Sequence, residues 1–194
     1  MTVKPKKRGR PAKGAQSLSQ QVIIDKAKQL MQLQGKVPSI RQLATDLSID
    51  AMAIYYYFKN KDELLEAIGV SLVEGIYVPG TLNDWREEIA ELGWSYLNLL
   101  GQYPGLLETL MKMKTTGPAE VFISRFNQVI AGVGLDTSEA GHAANLLADY
   151  LHGFAFAMQF SDVDKETKRA IYNGSISLYM KAIQPELSSC SASE

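Results

Sequence analysis

Three tyrosines and two lysines lie close together in one short segment of the chain. Tyr55, Tyr56 and Tyr57 follow one another, and Lys59 and Lys61 come soon after them. Phenolic hydroxyls and ammonium groups both donate hydrogen bonds to anionic oxygens. Lys61 also falls in the first turn of a predicted helix, where free backbone N–H groups favour an anion. This chemistry suits a phosphate-binding surface; the alternatives are a core aromatic cluster and two solvated lysines.

Two short predicted helices position these side chains. Ser39 and Gln42 form a capping box that opens a helix through Leu47, and a second helix runs from about Ala51 to Phe58. The predicted apolar seam between them consists of Leu43, Ala44, Leu47, Ile54 and Phe58. Two short helices joined by a three-residue turn have the dimensions of a helix-turn-helix. The segment from Ser39 to Phe58 therefore predicts a DNA-binding element.

The second helix of such an element enters the major groove by its N-terminal end. Ala51, Met52, Ala53 and Tyr55 would then face the bases, and Arg41 could reach a phosphate or a guanine edge. The first three carry almost no hydrogen-bonding capacity, so direct base readout should be sparse. We expect specificity to depend on Arg41, on apolar contacts with thymine methyls and on DNA shape.

The run from Ile54 to Leu65 resembles the signature of the TetR family of transcriptional regulators. It reads Ile-Tyr-Tyr-Tyr-Phe-Lys-Asn-Lys-Asp-Glu-Leu-Leu, and Leu43-Ala44 precedes it at the family's spacing. The resemblance covers about residues 18–75 and implies an operator-binding helix-turn-helix. The DNA-binding residues on this interpretation are Arg41, Ala51, Met52, Ala53, Tyr55, Tyr56, Tyr57, Lys59 and Lys61.

One residue departs from the family pattern. Ser48 stands in the turn between the two short helices, where the family usually has glycine. A left-handed backbone at a residue with a Cβ costs about 1 kcal/mol or more. We therefore expect local strain at this turn.

Charge is unevenly distributed along the chain. Residues 1–68 carry 12 basic and 6 acidic side chains, whereas residues 69–194 carry 8 basic and 15 acidic ones. Residues 1–16 form a basic arm rich in proline and glycine, and its Lys-Arg-Gly-Arg-Pro segment with Arg8 and Arg10 resembles the core of an AT-hook. Such arginines bind the narrow minor groove of A/T-rich DNA, and the alternative is nonspecific attraction to phosphate.

The composition excludes several classes of protein. Cys190 is the single cysteine, so an internal disulfide is impossible, and no apolar run is long enough to cross a membrane. We find no catalytic motif and no metal-ligand spacing, and we expect neither an enzyme nor a cofactor. A cytoplasmic protein that joins the bacterial nucleoid by binding DNA is the expectation.

The apolar periodicity predicts an all-α fold of about nine helices. A DNA-binding domain is predicted at 17–77, and a hinge containing Val78-Pro79-Gly80 follows it. A ligand-binding and dimerisation domain is predicted at 84–184, and a serine-rich tail at 185–194 completes the chain.

The C-terminal half is loosely similar to the tetracycline-repressor-like class. The similarity rests on Trp85-Arg86-Glu87-Glu88 and Tyr103-Pro104-Gly105-Leu106, and it implies a dimer and a small-molecule effector. Independently, the last two predicted helices, 138–159 and 165–183, are rich in alanine and glycine, which permits close helix packing between two chains. The alternative is ordinary packing within one chain.

A pocket for an apolar or aromatic effector is predicted among the helices of the C-terminal half. Its candidate lining residues are Trp94, Leu97, Leu107, Met111, Phe122, Phe126, Tyr150, Phe154 and Met158. His142 and His152 could orient a ligand but make a poor metal site. Apolar residues at helical spacing also form ordinary core, which is the alternative for each of them.

These observations predict a dimeric, sequence-specific regulator that binds a double-stranded DNA operator. A repressor released by a small effector is the main hypothesis, and an activator remains open. A mostly nonspecific architectural DNA protein is the first alternative. A helical carrier or enzyme is the second, and no motif supports it.

Overall fold

The computed structural model describes residues 18–184, which form nine α-helices and no strand. The helices are α1 (Gln20–Gln34), α2 (Ile40–Asp46), α3 (Ala51–Tyr55), α4 (Lys61–Val73), α5 (Trp85–Gln102), α6 (Leu106–Lys112), α7 (Gly117–Ile130), α8 (Thr137–Met158) and α9 (Lys165–Ile183). The predicted all-α fold is confirmed. The basic arm with Arg8 and Arg10, and the tail 185–194, lie outside the described residues.

Short polar side chains begin the helices of the N-terminal half. Ser19, Ser39, Asp50 and Asn60 each accept a hydrogen bond from a backbone N–H in the first turn that follows. Each cap satisfies a donor that has no partner within its helix. The chain direction in this region is therefore set largely by local sequence.

One predicted helix boundary was wrong, and two helices of the C-terminal half begin at local signals. Helix α3 ends at Tyr55 instead of continuing to Phe58, because the chain turns there to bury the Phe58 ring. Helix α6 begins after Gly105, whose φ of 82° is left-handed, so Pro104 lies outside the helix. Asp136 caps α8 in a capping box with Glu139, and the helix begins at Thr137.

Helices α1, α2 and α3 pack around a small apolar core, and α4 joins this unit to the remaining helices. Ile23, Leu43, Ile54 and Phe58 are almost fully buried in that core. Helix α4 contacts α1 on one side and packs against α7, α6 and α5 on the other. Within residues 18–184, no helix is long and apolar enough to span a lipid bilayer.

The turn between α2 and α3 carries the strain that the sequence predicts. Ser48 has a φ of 55°. Among residues 18–184, it is the only residue other than glycine with a left-handed backbone. The Ser48 N–H bonds to the Thr45 carbonyl at 3.0 Å and the Ile49 N–H to the Ala44 carbonyl at 3.0 Å. This is the Schellman pattern, which normally places glycine at the Ser48 position.

Replacing Ser48 with glycine is expected to stabilise the protein by about 0.5 to 1 kcal/mol. Relief of left-handed strain, about 1–2 kcal/mol, exceeds the extra conformational entropy of glycine in the unfolded chain. Ser48 is exposed, so few contacts are lost. Urea denaturation of the wild type, Ser48→Gly and the control Ser48→Ala measures the effect. A glycine midpoint at or below the alanine midpoint would contradict this account.

Candidate nucleic-acid interface and ligand cavity

The side chains of α3 that the sequence predicts to face DNA are exposed or half-buried. The Asp50 side chain accepts a hydrogen bond from the Met52 N–H at 2.7 Å and fixes the start of the helix. Met52 is 71% exposed, Tyr55 42% and Tyr56 84%. Ala51 and Ala53 are half-buried. Solvent-facing apolar and aromatic side chains at the start of a short helix leave this surface free to contact DNA.

Tyr57 requires a correction, because its hydroxyl group is already used within the protein. The hydroxyl donates to the Leu18 carbonyl at 2.7 Å, and the Tyr57 carbonyl accepts from Gln20 Nε2 at 3.0 Å. The ring is half-buried against the core. Tyr57 therefore ties the start of α1 to the end of α3, and its proton is not available for the phosphate contact that the sequence predicts.

The cationic residues of the predicted surface remain exposed. Arg41 lies in the first turn of α2, and Lys59 and Lys61 lie on either side of the α4 cap. Asn60 Oδ1 accepts from the Glu63 N–H at 2.8 Å, and Glu63 Oε2 accepts from the Lys59 N–H at 2.7 Å. These two hydrogen bonds fix the backbone beside both lysines.

An arginine of α7 caps the C-terminal end of α4. Arg125 donates to the carbonyls of Val73 at 3.3 Å, Glu74 at 2.7 Å, Ile76 at 2.7 Å and Tyr77 at 3.2 Å. These carbonyls lie at and beyond the helix end, where a cation is favoured. Partial burial lowers the pKa of Arg125, and the charge of Glu74 opposes that shift. Helices α4 and α7 are thus joined by a charged clamp that sequence analysis missed.

A buried carboxylate fastens the segment between α4 and α5. Glu88, 5% exposed, accepts hydrogen bonds from the N–H groups of Gly80 at 2.9 Å, Thr81 at 3.1 Å and Leu82 at 2.8 Å, and from the Tyr77 hydroxyl at 3.0 Å. Burial raises the pKa of this carboxyl, but these hydrogen bonds together lower it below its usual value. The predicted hinge is therefore held against α5 in this structure.

A cavity of about 170 Å³ lies where α4, α5, α6, α7 and α8 meet, and we call it the first cavity. Its wall consists of Val73, Tyr96, Leu110, Met111, Met113, Thr115, Pro118, Ala119, Phe122, Ile123, Ala144, Asn145, Ala148 and His152. Most of these side chains are apolar, as in typical small-molecule sites. Two of the predicted lining residues, Met111 and Phe122, are among them.

A tyrosine and a histidine form the polar side of the first cavity. The Tyr96 hydroxyl oxygen lies 2.9 Å from His152 Nε2, and the two rings are 5.8 Å apart. Burial raises the pKa of Tyr96. Burial also lowers the pKa of His152, against an opposing effect of Asp149. Burial therefore favours the uncharged form of both side chains.

Other residues of the predicted pocket line a separate second cavity between α5, α8 and α9. Trp94, Leu97, Phe154 and Met158 line it together with Lys165 and Lys168. Leu107 and Tyr150 line neither cavity, and Phe126 is fully buried core. The prediction of one shared pocket was wrong because α5 lies between the two groups. His142 is exposed on α8.

Helices α8 and α9 leave an apolar face uncovered. Its large side chains are Leu146, Phe156, Ile171 and Leu178, which are between 46% and 67% exposed. On the same two helices, Gly153 and Gly174 have no neighbouring atom within 4 Å of where a Cβ would stand. Ala143 and Ala144, by contrast, are buried inside the chain. The predicted small-residue helices thus pack internally on one side and are open on the other.

Both halves of the chain match known protein families. Residues 23–68 match the bacterial regulatory proteins of the tetR family, and residues 78–188 match the tetracyclin repressor-like C-terminal domain. The chain belongs to the TetR family. The resemblance seen in the run from Ile54 to Leu65 is confirmed, and so is the similarity of the C-terminal half to the tetracycline-repressor-like class. No curated protein sequence matches the chain significantly.

Solved TetR-family structures share this fold at low sequence identity. ActR of Streptomyces coelicolor in complex with actinorhodin has a TM-score of 0.74 and 15% identity, over 86% of this chain and 95% of its own. BioQ with its double-stranded DNA operator has a TM-score of 0.71 and 19% identity, over 87% of this chain and 99% of its own. A TetR variant of Acinetobacter baumannii with minocycline has a TM-score of 0.71 and 22% identity, over 86% of this chain and 96% of its own.

Proposed function

We propose that this TetR-family regulator is a dimeric, sequence-specific repressor that leaves its operator when a small effector fills the first cavity. One observation carries the proposal: α4 belongs to both sites. Lys61 begins α4 on the DNA-binding surface, and Val73 ends it in the cavity wall. An effector can shift the protein between the operator-bound and released states only if it makes different contacts in each. Helix α4 supplies a physical link between the effector cavity and the DNA-binding surface.

The geometry of α4 makes this link effective. Its 13 residues span about 20 Å at 1.5 Å per residue, so a shift at Val73 is transmitted along a rigid rod to Lys61. The Arg125 clamp ties the end of α4 to α7, which supplies Phe122 and three neighbouring residues to the cavity wall. Movement of α7 therefore displaces the DNA-binding unit.

The uncovered face of α8 and α9 supports a homodimer. Ile171 and Leu178 are exposed about two helical turns apart on α9, and large apolar side chains clustered on an exposed helix face typically mark an interaction site. Two helices from each chain would form a four-helix interface and place two α3 helices on successive half-sites. BioQ is solved with a DNA operator, which supports the proposed operator binding, and ActR and TetR are solved with small molecules, which supports the proposed effector.

Selection of bound genomic DNA, followed by mobility-shift titration, tests the proposal. We expect a short inverted repeat to be bound much more tightly than a random duplex, and its adjacent genes to be derepressed when the regulator is deleted. Equal affinity for both duplexes would favour the architectural alternative, and loss of expression on deletion would indicate an activator. Such a function places the protein in the cytoplasm, on the nucleoid.

A side chain grown into the first cavity is expected to mimic the effector. Ala148→Phe points a ring into the cavity wall and should weaken operator affinity by about tenfold, or about 1.4 kcal/mol, by displacing α7 and α4. Arg125→Met removes the clamp and should reduce this effect to about twofold. A double-mutant cycle by mobility shift measures the coupling between the two positions.

The cycle separates coupling from simple destabilisation. Ser138→Phe, at an exposed position in the first turn of α8 and outside both cavities, is the control and should leave operator affinity unchanged. Thermal denaturation confirms that each variant is folded at the assay temperature. If Ala148→Phe weakens operator affinity equally in the wild-type background and in the Arg125→Met background, the clamp does not transmit the signal.

A further inference from the structure

The wall of the first cavity contains no charged side chain. Its fourteen residues include no lysine, arginine, aspartate or glutamate. The polar groups are those of Tyr96, Thr115, Asn145 and His152, and the pKa of His152 is lowered by burial. The second cavity differs, because Lys165 and Lys168 stand in its wall.

The cavity is partly open, so a charged ligand would lose part of its hydration there without gaining an ionic partner. Buried charges are costly unless they are paired and hydrogen-bonded, whereas a neutral polar group needs only its hydrogen bonds. Apolar contacts with Leu110, Met113 and Phe122 favour a hydrocarbon surface on the rest of the ligand. The wall is therefore expected to favour uncharged ligands over charged ones, whatever their shape.

The volume limits the size of the ligand. A cavity of about 170 Å³ is close to the engineered cavity of about 150 Å³ that binds benzene. One aromatic ring with a small substituent fills it, and a larger molecule would either extend past the exposed Met111 and Ile123 into solvent or require movement of the helices.

The Tyr96–His152 pair offers one hydrogen-bonding position to such a substituent. If the phenol donates to Nε2, the phenol oxygen still accepts from a ligand; if Nε2–H donates to the phenol oxygen, the phenol proton is free for a ligand. A group that both donates and accepts, such as a carboxamide or a hydroxyl, satisfies either arrangement.

We propose that the first cavity binds an uncharged, compact, single-ring molecule whose polar group hydrogen-bonds to the Tyr96 hydroxyl, which His152 orients. That this molecule acts as the effector rests on the proposed function, but the binding preference itself does not.

Three nearly isosteric probes that differ in charge test the preference: benzamide, benzoate and benzamidine. Isothermal titration calorimetry with the full chain should show benzamide binding at least tenfold more tightly than either charged probe. Toluene, which lacks a polar group, should bind more weakly than benzamide. Benzoate or benzamidine binding as tightly as benzamide, or no binding of benzamide at millimolar concentration, would overturn the proposal.

Two kinds of variant locate the site. Tyr96→Phe should remove the preference for benzamide over toluene while toluene binding persists, an effect that mere loss of packing does not produce. His152→Phe keeps the Tyr96 hydroxyl but no longer orients it, so it should reduce the preference without removing it. Ala148→Phe, and independently Ala119→Phe, should abolish binding of both probes by filling the cavity. Unchanged binding in these two folded variants would place the ligand elsewhere and overturn the assignment.

Operator release is measured separately, with benzamide added to the protein–operator complex. Binding to the cavity without any change in operator affinity would contradict the proposed effector role and leave the ligand preference intact. Failure of the charge preference, with effector-dependent release still observed, would contradict only the inference made from the cavity wall.

Discussion

Replacing both Ile171 and Leu178 with glutamate is expected to convert the protein to monomers and to weaken operator binding by about 100-fold or more. Linking two binding modules raises affinity by about 10²–10⁴, because the second half-site is bound as an intramolecular event. Loss of the dimer removes that gain even though each DNA-binding unit is unchanged.

The structure indicates that these substitutions spare the fold of the single chain. Ile171 is 46% exposed and Leu178 is 67% exposed, and both lie on α9 away from its buried residues Tyr172, Ile176 and Tyr179. Glutamate at either position stays hydrated in a monomer but meets an apolar partner surface in the proposed dimer. The cost therefore falls on association.

Sedimentation velocity and mobility-shift titration measure the two effects on the same samples. Leu33→Glu is the matched control, because Leu33 is 75% exposed on α1, outside the α8–α9 face. The control should keep the mass of a dimer. A double variant that also keeps the dimer mass would show that the face formed by α8 and α9 is not the interface.

The helix-turn-helix could be predicted because its determinants are local in sequence. Ser39, Asp50 and Asn60 cap helices within three residues of themselves. Ser48 sits in a turn whose conformation follows from the hydrogen bonds of the preceding helix. Caps and turns depend on nearby residues, so they can be identified before the tertiary structure is known.

The coupling elements could not be predicted, because each joins distant parts of the chain. Arg125 meets carbonyls 48 to 52 positions away, and nothing in its own helix distinguishes it from a solvated arginine. Periodicity similarly marked the apolar faces of the C-terminal helices but not which faces meet. Periodicity therefore predicts one pocket that contains both Met111 and Trp94, although the structure places them in two separate cavities.

The role of the three tyrosines shows the same limit at close range. Tyr55 and Tyr57 are equally plausible phosphate donors in sequence, but the structure gives them different surroundings. Tyr55 is 42% exposed, whereas the Tyr57 hydroxyl donates to the Leu18 carbonyl. A contact 39 positions away in sequence decides which of the two is free to bind DNA.

Combining Tyr55→Phe with Lys61→Ala is expected to weaken operator affinity by about 100-fold. A hydrogen bond to a charged group contributes about 1.5–3 kcal/mol, so each substitution should cost about tenfold or more. Loss of Lys61 should also reduce the magnitude of the log affinity against log salt slope by about 0.9, because one fewer phosphate is neutralised. Loss of the Tyr55 hydroxyl should leave that slope unchanged. Mobility-shift titration at several salt concentrations measures both quantities.

Tyr57→Phe is the matched control, because it removes the same atom from a neighbouring residue that serves the fold. It should lower the free energy of unfolding by about 1 kcal/mol, since the Leu18 carbonyl loses its donor, while the folded protein keeps its operator affinity. Tyr55 is exposed and Tyr57 is half-buried. If α3 lies on DNA, losing the Tyr55 hydroxyl should therefore lower operator affinity, and losing the Tyr57 hydroxyl should lower stability instead. An intact operator affinity in the Tyr55–Lys61 double variant would mean that DNA binds a different surface.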